Sequence, residues 1–292
     1  MNKIRSASFG QTAVMSCLAL AFFAANSVLA RLALIPTQPQ MDAGSFVLLR
    51  LLSAVAMLWL ILVCNASRRD SRQGKGSWMA ATWLFLYALS FAYAYRYVDA
   101  GSGALVPFGS VQLVMFFVAK YAGVQTRLMA VFGVTLALAG LGYLMWPLIK
   151  TPSVVGILLM AISGAAWAFY TLAGQGSENP LQDTAYNFLR TLPYGLVLLT
   201  WLLVSGSVWM NWQGVVLAVF SGALASGIGY AIWYSALRGL TGIQAGSLQL
   251  LVPAMASAGG ILFAGDLFSW RLVISTIITL AGIFLVMRGS RR

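Results

Sequence analysis

Histidine is absent from this 292-residue chain, and acidic side chains number 6 against 18 lysines and arginines. The commonest metal ligand and the commonest general acid or base are therefore missing. That excludes histidine-based metal sites and Ser-His-Asp hydrolysis. The two cysteines, Cys17 and Cys64, both stand inside apolar runs, so neither a disulfide framework nor a CxxC metal site is expected. Charged residues make up only 8% of the chain, where soluble chains carry about a quarter. A water-soluble domain so poor in charge could not cover its own surface. No GxxxxGK[ST] or GxGxxG segment follows a strand-like run, so no phosphate loop and no cofactor is expected.

What the chain has in quantity is apolar length. Hydrophobic residues make up 60% and the mean hydropathy is +0.85. At about 20 residues per membrane crossing, the length fits ten crossings and leaves no room for a soluble domain. Apolar stretches bounded by charges or turn residues fall at roughly 9–31, 43–64, 77–97, 101–121, 127–146, 153–174, 184–205, 212–234, 242–263 and 269–287. The expected fold class is all-α: a polytopic membrane protein, one transporter domain over residues 1–292. The N-terminal run ends Val28-Leu29-Ala30, which looks like a signal-peptide cleavage site. Its length favours an uncleaved first helix.

The basic residues are scattered singly between apolar runs, which reads as membrane topology rather than nucleic-acid binding. With the N-terminus in the cytoplasm, the cytoplasmic loops and tails carry Lys3, Arg5, Arg68, Arg69, Arg72, Lys75, Lys120, Arg127, Arg238, Arg288, Arg291 and Arg292. The opposite side carries Arg31, Arg96, Lys150 and Arg271. Both termini are therefore expected in the cytoplasm.

A weak internal repeat runs through the spans. Leu49-Arg50-Leu51-Leu52 matches Leu189-Arg190-Thr191-Leu192 at an offset of 140, and Ala24-Ala25-Asn26 lies over Ala165-Ala166-Trp167 at 141. Leu138-Ala139-Gly140 matches Leu280-Ala281-Gly282 at 142, and Gly123 meets Gly265 at the same offset. A repeat of five spans is odd-numbered, so the second copy enters the membrane from the opposite side. Two inverted five-helix repeats, about 9–146 and 153–287, are expected around a central cavity near the midplane. That points to transport.

With an Arg in the second span of each half and Leu-Ala-Gly near each half's end, the chain resembles the EamA-type drug/metabolite transporter superfamily. Within it, Gly164-Ala165-Ala166-Trp167-Ala168-Phe169-Tyr170 and Gly229-Tyr230-Ala231-Ile232-Trp233, with Pro253 in the following span, are similar to the YddG aromatic amino-acid exporters. The resemblance implies a basket of ten helices in the bacterial inner membrane, exporting amino acids or related metabolites. It places spans 1, 3, 4, 6, 8 and 9 nearest the path. One departure is Phe108-Gly109-Ser110, where large aromatics are expected. The smaller Ser110 leaves room for a wider range of neutral amino acids.

The acidic residues Asp42, Asp70, Asp99, Glu178, Asp183 and Asp266 fall in loops or at span ends. No side-chain proton relay and no embedded enzyme is expected, while a sodium site of backbone carbonyls stays open. Arg50 and Arg190 stand about seven residues inside their spans, and an arginine at that depth is a functional candidate. Snorkelling, or pairing with carbonyls at a broken helix, is the plainer alternative. Their symmetry favours a structural or gating role. Trp78, Trp146, Trp209, Trp212 and Trp270, at span ends, read as interfacial belts. Substrate-binding candidates are Trp167, which the family motif supports, Tyr230 and Tyr234, with Tyr87, Phe91 and Tyr95 spaced along one helical face, where core packing is the plainer alternative. Polar residues in mid-span need partners where there is no water. Asn26, Gln112, Ser247 and Gln249 either bond between helices or meet the charged groups of a zwitterion, and Asn26 and Gln249 are preferred for the latter. Pro107 and Pro253 each remove a helical hydrogen bond, as hinges or as simple kinks. The expected partners are a small-molecule substrate and the lipid bilayer, with the chain acting as a monomer. A drug or nucleotide-sugar carrier of the same superfamily is the alternative, although a nucleotide sugar calls for several cations in the cavity.

Overall fold

A peptide group in hydrocarbon has no water to bond, so an apolar run closes its hydrogen bonds within itself as a helix. The computed structural model describes residues 9–34, 38–64, 74–97, 100–124, 127–146, 153–263 and 267–289. Thirteen α-helical segments lie among them. The first six are α1 (Phe9–Leu34), α2 (Ala43–Cys64), α3 (Trp78–Ala94), α4 (Ala100–Tyr121), α5 (Leu128–Met145) and α6 (Val154–Gly174). They are followed by α7 (Pro180–Leu189), α8 (Leu192–Val204), α9 (Trp212–Phe220), α10 (Gly229–Leu237), α11 (Gly242–Gln249), α12 (Val252–Phe263) and α13 (Trp270–Gly289). Joined end to end where the chain runs on, they make ten spans, seven of them long and apolar enough to cross a bilayer outright. The protein is a polytopic membrane protein. Leu113, Phe117, Phe132, Leu158, Val197, Leu203 and Ile277 face outward, as lipid contact requires. Trp78, Trp146, Trp209, Trp212 and Trp270 are exposed at span ends.

Three spans are broken, and proline accounts for two of the breaks. A helical proline lacks an N–H and its ring clashes with the carbonyl four residues back. Accordingly α7 ends at Leu189, four before Pro193, and α11 ends at Gln249, four before Pro253. Between α9 and α10, Ser221–Ile228 winds as a π-helix through Ser-Gly-Ala-Leu-Ala-Ser-Gly-Ile. The span expected at 184–205 is therefore two segments. Its Arg190 is the cap residue of α7, at a helix break rather than deep in a continuous span. The first helix continues through Val28–Ala30 to Leu34, and the third stops at Ala94, short of the expected 97. Lys3, Arg5, Arg68, Arg69, Asp70, Arg72, Asp99, Lys150, Gly265, Asp266, Arg291 and Arg292 lie outside the described residues.

Alternating spans put the 38–42 and 205–211 segments on one face, here the far face, and the 74–77 and 179–187 segments on the near face, where α1 begins. Both pairs are hydrogen-bonded. On the far face the Trp209 N–H donates to Asp42 Oδ2 at 2.9 Å and the Asn211 N–H to Gln40 O at 2.9 Å. On the near face the Gly76 N–H donates to Asp183 Oδ1 at 2.8 Å and the Ser77 N–H to Asn187 Oδ1 at 2.8 Å. Asp42 and Asp183 stand 141 positions apart, the offset of the sequence repeat.

The α5–α13 contact carries the same relation at atomic scale. A Cβ on Gly140 would lie 2.6 Å from Thr279 Oγ1 and 3.0 Å from Ser275 O. One on Gly282 would lie 2.5 Å from the Ala137 N and 2.6 Å from Gly133 O. Moving by 142 positions turns Gly140, Thr279 and Ser275 into Gly282, Ala137 and Gly133. Such a self-complementary contact is what a two-fold axis produces. More widely, α3 packs on α6 and α1 on α10, α4 packs on α6 and α1 on α12, so the pairs survive exchange of each span with the one five further on.

Gly140→Val and Gly282→Val should each lower thermal stability in detergent, with an overpacking cost of about 1–3 kcal/mol. Gly142→Ala, whose Cβ meets nothing within 4 Å, should leave the melting temperature unchanged. Unequal behaviour of the two valine variants would contradict the shared geometry.

Candidate functional site

Helices α1, α3, α4, α6 and α10 converge on a cavity lined by Phe23, Asn26, Ser27, Tyr87, Phe91, Pro107, Phe108, Val111, Ser163, Gly164, Trp167 and Tyr230. Its space for water is about 40 Å³. A single water needs about 10–15 Å³ on that measure, so this conformation holds a few waters and no amino acid. Trp167 is the hub of the wall. Its ring centroid lies 4.7 Å from Tyr230, 4.9 Å from Tyr87 and 5.2 Å, edge-on, from Phe23. Toward the near face the cavity ends on Phe188, Trp233, Tyr170 and Tyr234, each at most 1% exposed.

Small residues let the walls approach. A Cβ on Gly164 would collide with the Pro107 carbonyl oxygen, so α4 and α6 touch backbone to backbone there. Pro107 sits within an unbroken helix, and its carbonyl is enclosed by this contact. Pro253 instead coincides with a break, and Gln249 at that break accepts a hydrogen bond from Trp167 Nε1. Gln249 Nε2 bonds Ala245 O at 3.2 Å, leaving the amide no freedom.

The π-helix aims two serines. In an α-helix, side chains five residues apart stand about 140° apart around the axis. The wider π turn brings Ser221 and Ser226 inward together. The Ser221 hydroxyl donates to Asn26 Oδ1 at 2.6 Å, and Ser226 Oγ accepts from Arg50 Nε at 2.9 Å. Insertions of this kind recur at functional sites. Arg50 is 1% exposed. Its Nη2 donates to Tyr230 OH at 2.6 Å and Tyr87 OH at 3.2 Å, while Nη1 has no hydrogen-bond partner. Its guanidinium carbon stands 5.3 Å from the Tyr87 ring centroid.

Of the expected substrate contacts, Asn26, Tyr87, Phe91, Trp167 and Tyr230 come together in the lining, with Pro107. Tyr95 stacks edge-on behind Phe91 at 5.1 Å, outside the lining, so the expected stripe reaches the cavity with two of its three rings. Ser110 turns its hydroxyl to Val106 O at 2.8 Å. Tyr234 donates to Tyr170 O at 3.1 Å within the near-face plug. Gln249 stands behind Trp167. Arg50 and Arg190 part company: Arg190 bonds the carbonyls of Lys75 and Tyr186 and stacks with Trp78, which is pairing at a broken helix. Phe23 and Val111 line the cavity without any periodic or polar signal that would have marked them, while Ser27 and Ser163 are mid-span polar residues that the sequence reading passed over.

The signature of the EamA-like transporter family matches residues 154–288, the extent of the second five-span half. The uncharacterized protein PA1977 of Pseudomonas aeruginosa is 43% identical over 277 residues, 95% of this chain and 94% of its own length. The threonine/homoserine exporter RhtA of Escherichia coli K12 is 29% identical over 142 residues, 46% of each chain. A solved crystal structure superimposes with a TM-score of 0.77 at 19% identity, covering 98% of this chain and 100% of that one. At that identity the likeness is one of fold.

Gln249→Leu strands the buried Trp167 N–H and should cost about 1–3 kcal/mol of stability. Gln112→Leu should be neutral or stabilising, because Gln112 Nε2 is already buried without a partner and Ser247 keeps its bond to Ile243 O. Thermal unfolding in detergent distinguishes the two.

Proposed function

The chain belongs to the EamA-like transporter family, and on that premise we propose that it exports neutral amino acids across the bacterial inner membrane by alternating access. The observation that carries this reading is the ring-lined hollow where α1, α3, α4, α6 and α10 meet. Aromatic faces suit the apolar part of an amino acid and also attract its ammonium. Asn26, Ser27 and Ser163 supply polar contact for a zwitterion whose burial without partners would be prohibitive. The resemblance of the Trp167 and Tyr230 motifs favours aromatic and other bulky side chains. The similarity to a threonine/homoserine exporter favours hydroxylated side chains of threonine size.

The exchange relation of the packing supports two inverted halves, 9–146 and 153–287. Asp42 and Asp183 then provide matched ties at the two faces, and opening one face releases its tie while the other holds. Substrate drives this by binding the two forms unequally. Among the described residues Asp42 accepts backbone N–H groups from Ser45 and Trp209, and Asp183 bonds Gly76 and Ser177. Both stand at the faces, so we read transport as facilitated diffusion without a side-chain proton relay. The basic-residue asymmetry makes the near face cytoplasmic. A nucleotide sugar fits poorly, because Arg50 is the one cation against the lining among the described residues.

Counterflow in proteoliposomes with labelled threonine, homoserine and phenylalanine tests the reading. The wild type should exchange neutral amino acids, and Trp167→Ala should slow that exchange about tenfold, for the loss of about 1.4 kcal/mol of contact. Trp270→Ala, exposed at a span end, should leave it intact. Absence of amino-acid exchange, or exchange unaltered by Trp167→Ala, would overturn it.

A further inference from the structure

Arg50 is a full charge, 1% exposed, inside a membrane protein, and every hydrogen-bond partner it has is neutral: Ser226, Tyr87 and Tyr230. A guanidinium so placed is costly, and a purely structural tie between α2 and the π-helix needs no charge. Arg190, its counterpart in the second half, shows the structural solution: two backbone carbonyls and two ring faces. Arg50 departs from it in two ways. Its Nη1 has no hydrogen-bond partner among the described residues, and the two hydroxyls that share Nη2 belong to Tyr87 and Tyr230, which are walls of the cavity. Those hydroxyls lie 3.3 Å from each other, both before Nη2, while Nη1 beside it on the same planar fork is left open. A carboxylate presents the same pair of oxygens with the missing charge.

We propose that Arg50 is the receptor for the carboxylate of the transported molecule, and that the Tyr87 and Tyr230 hydroxyls hold its fork until a carboxylate takes their place. The proposal rests on the cavity being the transport site and adds what that site selects. The described lining residues include no acid to pair with an ammonium. The ammonium then meets only ring faces and neutral oxygens, so the carboxylate carries the larger share of recognition. The substrate class becomes neutral monocarboxylates, with 2-hydroxy acids accepted beside the matching amino acids and amino-acid amides rejected. Since the cavity as it stands is too small for any of them, the displacement of the two tyrosines links binding to opening.

The test is ligand-induced thermal stabilisation of the purified full-length protein by threonine and phenylalanine, their amides, and the corresponding 2-hydroxy acids. Wild type should bind the acids at least tenfold more tightly than the amides, with or without the amino group. In Arg50→Gln the acid-to-amide ratio should fall to near one, with Arg50→Lys keeping part of it. Should Arg50→Gln fail to fold, Tyr230→Phe serves instead: with one competing hydroxyl gone, acids should bind several-fold more tightly and amides unchanged. No acid-selective response in wild type, selectivity preserved in folded Arg50→Gln, or Tyr230→Phe affecting acids and amides alike would overturn the proposal. Acid-selective binding without amino-acid counterflow would leave Arg50 as the carboxylate receptor and remove the export of amino acids. Counterflow of amino acids and their amides at equal rates would do the reverse.

Discussion

A polar group enclosed in hydrocarbon has to find its partner inside the protein, and the interior of this molecule is arranged around that constraint. The ties run between spans that are distant in sequence: Asn26 to Ser221, Trp167 to Gln249, Arg50 to Ser226, Tyr87 and Tyr230. Together they ring the cavity and fix its walls. The ties to Ser221, Ser226 and Gln249 depend on local irregularities of the helices that carry them. The π-helix turns both serines inward, and the break before Pro253 frees Gln249 to meet the indole. Regular helices in the same positions would have left these groups facing away from their partners.

The near face is sealed beneath the cavity by buried rings, while hydrogen-bonded segments close both faces with the same kind of contact, a carboxylate receiving backbone N–H groups. The α5–α13 pair lies across the two-fold relation, each helix presenting glycines where the other presents its backbone. A pair packed so closely does not deform gradually. The cavity walls meet through rings and hydroxyls as well as through the close approach of α4 and α6 at Gly164.

Much of this was legible in the sequence, and the reasons differ from element to element. The ten spans follow from length and apolarity alone. Gly140 and Gly282, matched in the sequence at an offset of 142, both sit on the α5–α13 seam. The i, i+4 spacing of Tyr87 and Phe91 put both rings on the cavity. Other features left no trace. Arg50 and Arg190 stand in the same motif at the same apparent depth, and only the tertiary structure separates a buried guanidinium from one that reaches carbonyls at a helix end. The π-helix is written in Ser, Gly and Ala with Leu224 and Ile228, which fit an ordinary span equally well. The partnership of Trp167 with Gln249 joins residues 82 apart, beyond any local pattern. Phe23 is one phenylalanine in an apolar helix, and nothing local distinguishes it from Phe22.

The central claim is that one cavity serves both faces in turn. It is tested most directly by placing a single cysteine at its wall, Ser163→Cys, with Cys17 and Cys64 replaced by serine. The measurement is labelling by a membrane-impermeant thiol reagent in vesicles of each orientation, with and without a transported amino acid. The account predicts that the residue reacts from either face and that substrate changes the balance between the two rates. Reaction from one face alone under every condition, or from neither, would contradict it.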